Sequence, residues 1–328
     1  MATEAPEHRI AYLDGWRAVS VAIVVISHMV PVLRPHGHLG VFFFFAISGY
    51  VITKTLLRER AATGSISLRA FYVRRVCRIV PPLLLYLAGV TLAAALGLVT
   101  VAPRDLAAAA FFTCNISLAH CAEIVEHTWS LAFEEQFYLL VPGVLLWVLA
   151  RRRPHAAIAL AALFFAVPFF RPVEWIGRIG FVQTYVLLGG GCLYAMWESR
   201  IRVHPALAWL ALAAVPLLEV AGEGSRVVQG ILLPAAILTA VFFVRPLVWA
   251  PLTYLGRISY SIYLWQQLAA FPDVPLPWWG AILGQVAVIG VAGLSHATVE
   301  RYFVALGRRY RPRAEPIVLA DPSRADAD

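Results

Sequence analysis

Charge is what this 328-residue chain has least of. Asp, Glu, Lys and Arg make up 14% of it, against about a quarter in a soluble globular domain, so a water-soluble enzyme is the first class excluded. Lysine is nearly missing: Lys54 is the one lysine among 27 basic residues. The four cysteines, Cys77, Cys114, Cys121 and Cys192, lack the paired spacing of a zinc site, and no metal is expected. No internal repeat stands out, so an inverted-repeat transporter gains no support. A cleavable leader is not expected either, because the first apolar run leads straight into another without a small-residue processing site.

What the chain has in abundance is apolar residue. It is 60% hydrophobic with mean hydropathy +0.74, which excludes disorder for the bulk of it. Apolar segments fall at 18–33, 39–57, 79–101, 129–149, 156–170, 183–197, 205–221, 227–244, 252–271 and 278–299. The expectation is an all-α polytopic membrane protein with about ten transmembrane helices. A further apolar patch at 106–112 is too short to span, and 103–128 reads as an outer or re-entrant loop.

The net charge of +8 reads as cytoplasmic-loop bias, and no nucleic-acid partner is expected. With ten spans and an inside N-terminus, the Arg-rich stretches 58–78, 151–153, 200–202, 245 and 301–313 all fall on the cytoplasmic side. Both termini are then cytoplasmic, and Arg171, Arg178 and Arg226 lie outside. Residues 1–313 form one transmembrane domain in the bacterial inner membrane, and 314–328 a disordered tail.

The candidate chemistry sits in four places. Arg17 and His28 are eleven residues apart, so on a helix they share one face about 16 Å apart along the axis. Asp14 lies one turn before Arg17. A histidine inside a span is a functional hypothesis by default, with interhelical packing as its rival. In the span at 129–149, Ser130, Glu134 and Tyr138 recur at i, i+4 and form one polar face. Counted from the expected outer helix ends, His28 and Glu134 lie equally deep, an arrangement that suits a base and its orienting carboxylate.

The third place is Arg74, Arg75 and Arg78, just before a span. Such a cluster can grip phosphates or anionic lipid. The fourth is the run from Gly256 to Gln267, with Tyr260 and Gln266, which could line a cavity or bond between helices. Gly49 lies in a run of small residues where helices could approach closely, most simply for packing. Cys114 and Cys121 could form a disulfide in the outer loop or be two unrelated thiols.

Six stretches together resemble the acyltransferase family 3 membrane proteins: 12–18 through His28, 42–53, 74–82, 127–138, 255–265 and 299–301. They occur in the family's order over nearly the whole chain. The resemblance implies a ten-helix fold that moves an acyl group, usually acetyl, from cytosolic acyl-CoA to a hydroxyl of a carbohydrate or secondary metabolite. The acceptor would be a hydroxylated glycan, a lipid-linked sugar or a macrolide-type molecule.

Carried onto this sequence, the resemblance makes His28 the general base or acyl-accepting nucleophile and Glu134 its orienting partner. Arg17 or Tyr260 would stabilise the oxyanion, and Arg74, Arg75 and Arg78 would hold the CoA phosphates. Asp14, Ser130, Tyr138, Tyr260 and Gln266 are expected at the substrate. Two departures stand out. Gln266 occupies a place where family members often have His, and the closing Glu-Arg-Pro pattern reads Glu300-Arg301-Tyr302. The extra C-terminal domain of larger members is not seen here, so transfer is expected to finish on the membrane domain. The rival reading is a proton-coupled transporter or flippase with His28 and Glu134 as its relay.

Overall fold

The computed structural model describes residues 10–116, 121–150, 181–222, 224–225, 227–270 and 277–310. The expected span at 156–170, the arginines at 151–153, Arg171, Arg178 and Arg226, and the tail at 314–328 lie outside the described residues. Within them every regular element is helical, as the apolar periodicity predicts. The helices are α1 (Ala11–Met29), α2 (His38–Thr63), α3 (Leu68–Ala95), α4 (Pro103–Ala110), α5 (Glu123–Glu126), α6 (Thr128–Ala150) and α7 (Phe181–Trp197). They continue with α8 (Pro205–Ala221), α9 (Leu233–Phe243), α10 (Ala250–Arg257), α11 (Ser259–Ala270), α12 (Trp278–Ser295) and α13 (Arg301–Arg308).

Three stretches, Pro31–Thr63, Leu68–Ala95 and Trp279–Arg308, are long and apolar enough to cross a membrane. Leu92, Leu139, Leu210, Leu217 and Leu294 are each more than 60% exposed. Apolar surface on that scale is untenable in water and suits lipid tails.

Several boundaries differ from expectation for local reasons. The first span was expected to reach residue 33, but α1 stops at Met29. Pro31 forces Val30 into extended backbone, and Pro31–His36 forms a 3₁₀ turn. His28 therefore sits one residue from its helix end, while Glu134 lies six residues into α6, so the equal depth is lost. The segment expected at 252–271 is two helices, α10 and α11, broken at Ile258. The break follows from a close approach: a Cβ on Gly256 would lie 1.7 Å from the Asp14 carbonyl oxygen, so α10 seats directly on α1.

The short apolar patch at 106–112 falls on α4 and the turn after it, and it does not span. The loop behind it folds inward. Asn115 and Gln136 exchange amide hydrogen bonds of 2.9 and 3.0 Å, and Gln136 lies about 12 Å along α6 from its start. Cys114 and Cys121 are joined by a disulfide.

The core centres on α2. Where α2 crosses α7, a Cβ on Gly49 would stand 1.9 Å from the Leu188 carbonyl oxygen, and one on Gly191 2.3 Å from that of Ala46. Glycines on both sides let the backbones touch. Trp16 of α1 stacks on Phe43 at 5.1 Å and donates to the Val244 carbonyl, which holds α1 against the same core.

Candidate active site

A small cavity of about 80 Å³ opens between α1, α2, α3, α6 and α11. Its wall includes Arg17, Arg75, Arg78, Glu134, Ser48 and Tyr260.

Each polar group on that wall is placed by a different constraint. Arg75 reaches Glu135 at 3.3 Å and Glu134 at 3.5 Å, with its guanidinium 3.8 Å over the Tyr138 ring. Glu134 also accepts from Ser48 at 2.8 Å and Tyr138 at 3.2 Å. A single cation over a π face thus holds two partly buried carboxylates together. Arg17 lies beside Asp14 at 3.5 Å. Arg78 has no ion pair or hydrogen bond among the described residues, and its guanidinium is left for the cavity.

Below this wall, Glu300 is 1% exposed and accepts from Ser261 at 3.0 Å and His296 Nδ1 at 2.9 Å. It stands on the π turn His296–Glu300, and such turns re-aim a side chain inward. Tyr260 donates to the Ile79 carbonyl at 2.8 Å, just before Pro81 and Pro82, which α3 carries inside its helix.

The second polar centre lies at the far end of α1. His28 Nδ1 is 2.7 Å from Gln266 Oε1. Gln266 donates to Gln267 at 2.7 Å, and Gln267 to the Glu123 carbonyl at 2.8 Å. Close by is His127, near enough that the charge of one imidazole would act on the other. Its ring sits edge-on to Tyr86 at 5.3 Å and Tyr263 at 5.4 Å. It lies near the Leu264 backbone, yet neither ring nitrogen completes a hydrogen bond among the described residues. Buried groups of this kind are rare and call for an explanation. Ser130 and Tyr263 connect the centres: both line the cavity, their hydroxyls share a 2.8 Å hydrogen bond, and both lie within hydrogen-bond reach of the His127 carbonyl.

The expected site is therefore regrouped. The pairing of His28 with Glu134 is not made; Glu134 belongs to Arg75 and His28 to Gln266. Arg17 joins the arginine cavity, about 16 Å of helix from His28, and not the imidazoles. Arg74 leaves the cavity: it pairs with Glu59 at 2.7 Å and holds α3 to the end of α2. Tyr138 lies under Arg75, not on the cavity surface. Tyr260 lines the cavity, but its hydroxyl is committed to Ile79. Gln266, the departure from the family pattern, touches His28 itself. His127 was not singled out in the sequence, because it precedes the helix that carries the periodic polar face. Among the described residues no cluster of three or more His, Cys, Asp or Glu could hold a metal ion.

A helical bundle with apolar outer faces surrounds an internal cavity lined by three arginines. The chain belongs to acyltransferase family 3: the family's acyltransferase domain matches residues 10–296. It is similar to the O-acetyltransferase OatA of Staphylococcus aureus strain NCTC 8325 / PS 47, 28% identical over 299 residues, which cover 77% of this chain and 49% of that one. OatA of S. aureus strain COL matches to the same extent. The chain thus spans about half the length of the curated relatives it matches. No solved structure matches it.

Proposed function

We propose that this domain is a membrane O-acyltransferase that moves an acyl group, acetyl in the simplest case, from cytosolic acyl-CoA to a hydroxyl of a carbohydrate or glycosylated secondary metabolite. The cavity carries this reading. Arg17, Arg75 and Arg78 on one wall support a site for a phosphate-bearing ligand, and Arg78 is the one of the three with no ion pair or hydrogen bond among the described residues. The OatA names point to an acetyl group and an oxygen acceptor.

In this reading the donor's phosphates rest on Arg78 and Arg17, and its pantetheine arm runs along α1 for about 16 Å. The thioester then meets His28. The imidazole takes the proton of the acceptor hydroxyl as its oxygen attacks the thioester carbon, and the thiolate leaves. His127 stands as a second imidazole at that centre.

We place ten spans in the bacterial inner membrane with both termini cytoplasmic. The Cys114–Cys121 disulfide supports this, since such bonds persist on the oxidising side. The acceptor then arrives from outside, as a glycan, a lipid-linked sugar or a macrolide-type molecule. The rival proton relay needs His28 and Glu134 in contact, and each has other partners.

The test uses the purified protein in lipid nanodiscs with radiolabelled acetyl-CoA. Binding of label, and release of free CoA when a sugar acceptor is added, is the expected result. His28→Ala should bind the donor and release none. Absence of donor binding by the wild type, or full turnover by His28→Ala, would overturn the reading.

A further inference from the structure

We infer that Gln266 is a positioning residue that holds His28 in the Nδ1–H tautomer, with the direction of the contact set by Gln267 and the backbone carbonyl of Glu123. This rests on the reading of His28 as the base, and it names which nitrogen works.

A backbone carbonyl can only accept, so the Gln267 group 2.8 Å from the Glu123 oxygen must be its NH₂. Gln267 Oε1 therefore faces Gln266 and accepts from its NH₂ at 2.7 Å. That leaves Gln266 Oε1 toward His28, where an acceptor 2.7 Å away requires a proton on Nδ1. The lone pair of the neutral ring is then on Nε2.

Reversing the chain would set Gln267 Oε1 against the Glu123 oxygen, two acceptors face to face. Gln266 is 0% and Gln267 3% exposed, so no solvent could repair the clash. The backbone is held as well: Gln285 of α12 donates to the Gln266 carbonyl at 3.1 Å. The Glu123 carbonyl lies two residues beyond Cys121, whose disulfide to Cys114 closes that loop.

An amide does not titrate, so this orientation persists across the working pH range. Nε2 takes the hydroxyl proton while the acceptor oxygen bonds to the thioester carbon. As the C–S bond breaks, Nε2 returns that proton to the departing sulfur, giving free CoA thiol. Nδ1 keeps its own proton throughout, shared with Gln266.

The test reads the tautomer directly, by ¹⁵N NMR of histidine-labelled protein in nanodiscs at pH 8.5. The His28 signals are assigned by their loss in His28→Asn. The wild type should show a protonated Nδ1 and a bare Nε2. Gln267→Met, which does not touch His28, should mix the tautomers. Gln266→Met should do the same and lower kcat about tenfold at unchanged donor KM. Gln266→Glu should restore the Nδ1 proton and move the acid limb of the kcat profile to higher pH, because a carboxylate favours the charged ring. A bare Nδ1 in the wild type, or an unchanged His28 spectrum in Gln267→Met, overturns the inference. If His28→Ala stays active while the Nδ1–H tautomer is observed, the base assignment fails and the tautomer assignment stands.

Discussion

The two polar centres solve the burial of polar groups in opposite ways. Around the cavity, charge is held by charge: Arg75 between Glu134 and Glu135, Arg17 beside Asp14. At the imidazoles the contacts are an amide, Gln266, on His28 and the aromatic edges of Tyr86 and Tyr263 around His127. Paired charge fixes a site's electrostatics, whereas neutral amides fix which atom carries a proton and leave the ring able to change its charge. A donor site needs the first property and a proton-transfer site the second.

The largest effect should come from breaking the charge pairing. Arg75→Ala leaves two buried carboxylates without their cation, a change worth about 3–5 kcal/mol. Loss of folded protein, read as a collapsed melting temperature in detergent, is expected ahead of any kinetic phenotype. A well-folded Arg75→Ala enzyme with only a raised donor KM would show that Arg75 serves ligand and not structure.

Arg78 sharpens the contrast because it is on the same wall with no ion pair among the described residues, the Glu300 charge reaching it only from beyond contact distance. Arg78→Ala should keep its melting temperature and raise the donor KM by about 10- to 100-fold, the loss of one charged hydrogen bond of roughly 1.5–3 kcal/mol. A defect confined to the acceptor KM would move Arg78 out of the donor site.

At the other centre the sign of the stability effect reverses. His127 is buried and neither ring nitrogen completes a hydrogen bond among the described residues, so its retention costs stability. His127→Phe fits the surrounding Tyr86 and Tyr263 edges, and should melt no lower than wild type while kcat falls about tenfold. A variant that melts lower at full kcat would make His127 a packing residue.

Much of this arrangement was legible in the residues, and the gaps have physical causes. Helical spacing put Ser130, Glu134 and Tyr138 on one face, and all three meet the cavity or its Arg75 floor. Spacing could not choose between Arg74 and Arg75, since both lie about one turn from Arg78. The choice is made by Glu59, fifteen residues away from Arg74 on another helix. The depth of His28 was misjudged because hydropathy continued past Pro31, while the backbone did not. Its partner was misjudged because a carboxylate was sought where an amide stands. The fold class was readable throughout, as the apolar runs left few alternatives to helices.

The smallest expected effect lies away from both centres, at the start of the turn after α7. Burial pushes the Glu198 carboxyl up, but hydrogen bonds from Lys54 at 2.5 Å and Tyr50 at 3.0 Å outweigh it and hold the group below its usual range. A carboxylate with a lowered folded pKa stabilises the native state above its unfolded pKa, and that contribution fades as pH falls through the folded value. Because the Glu198 side chain is 34% exposed, solvent screening keeps the effect below that of a buried pair. The melting temperature of wild type should exceed that of Glu198→Gln by a few degrees at pH 7, with the gap closing toward pH 3. A gap of constant size over that range would mean that the contact of α2 with the end of α7 rests on shape, as the Gly49–Gly191 crossing does, and not on charge.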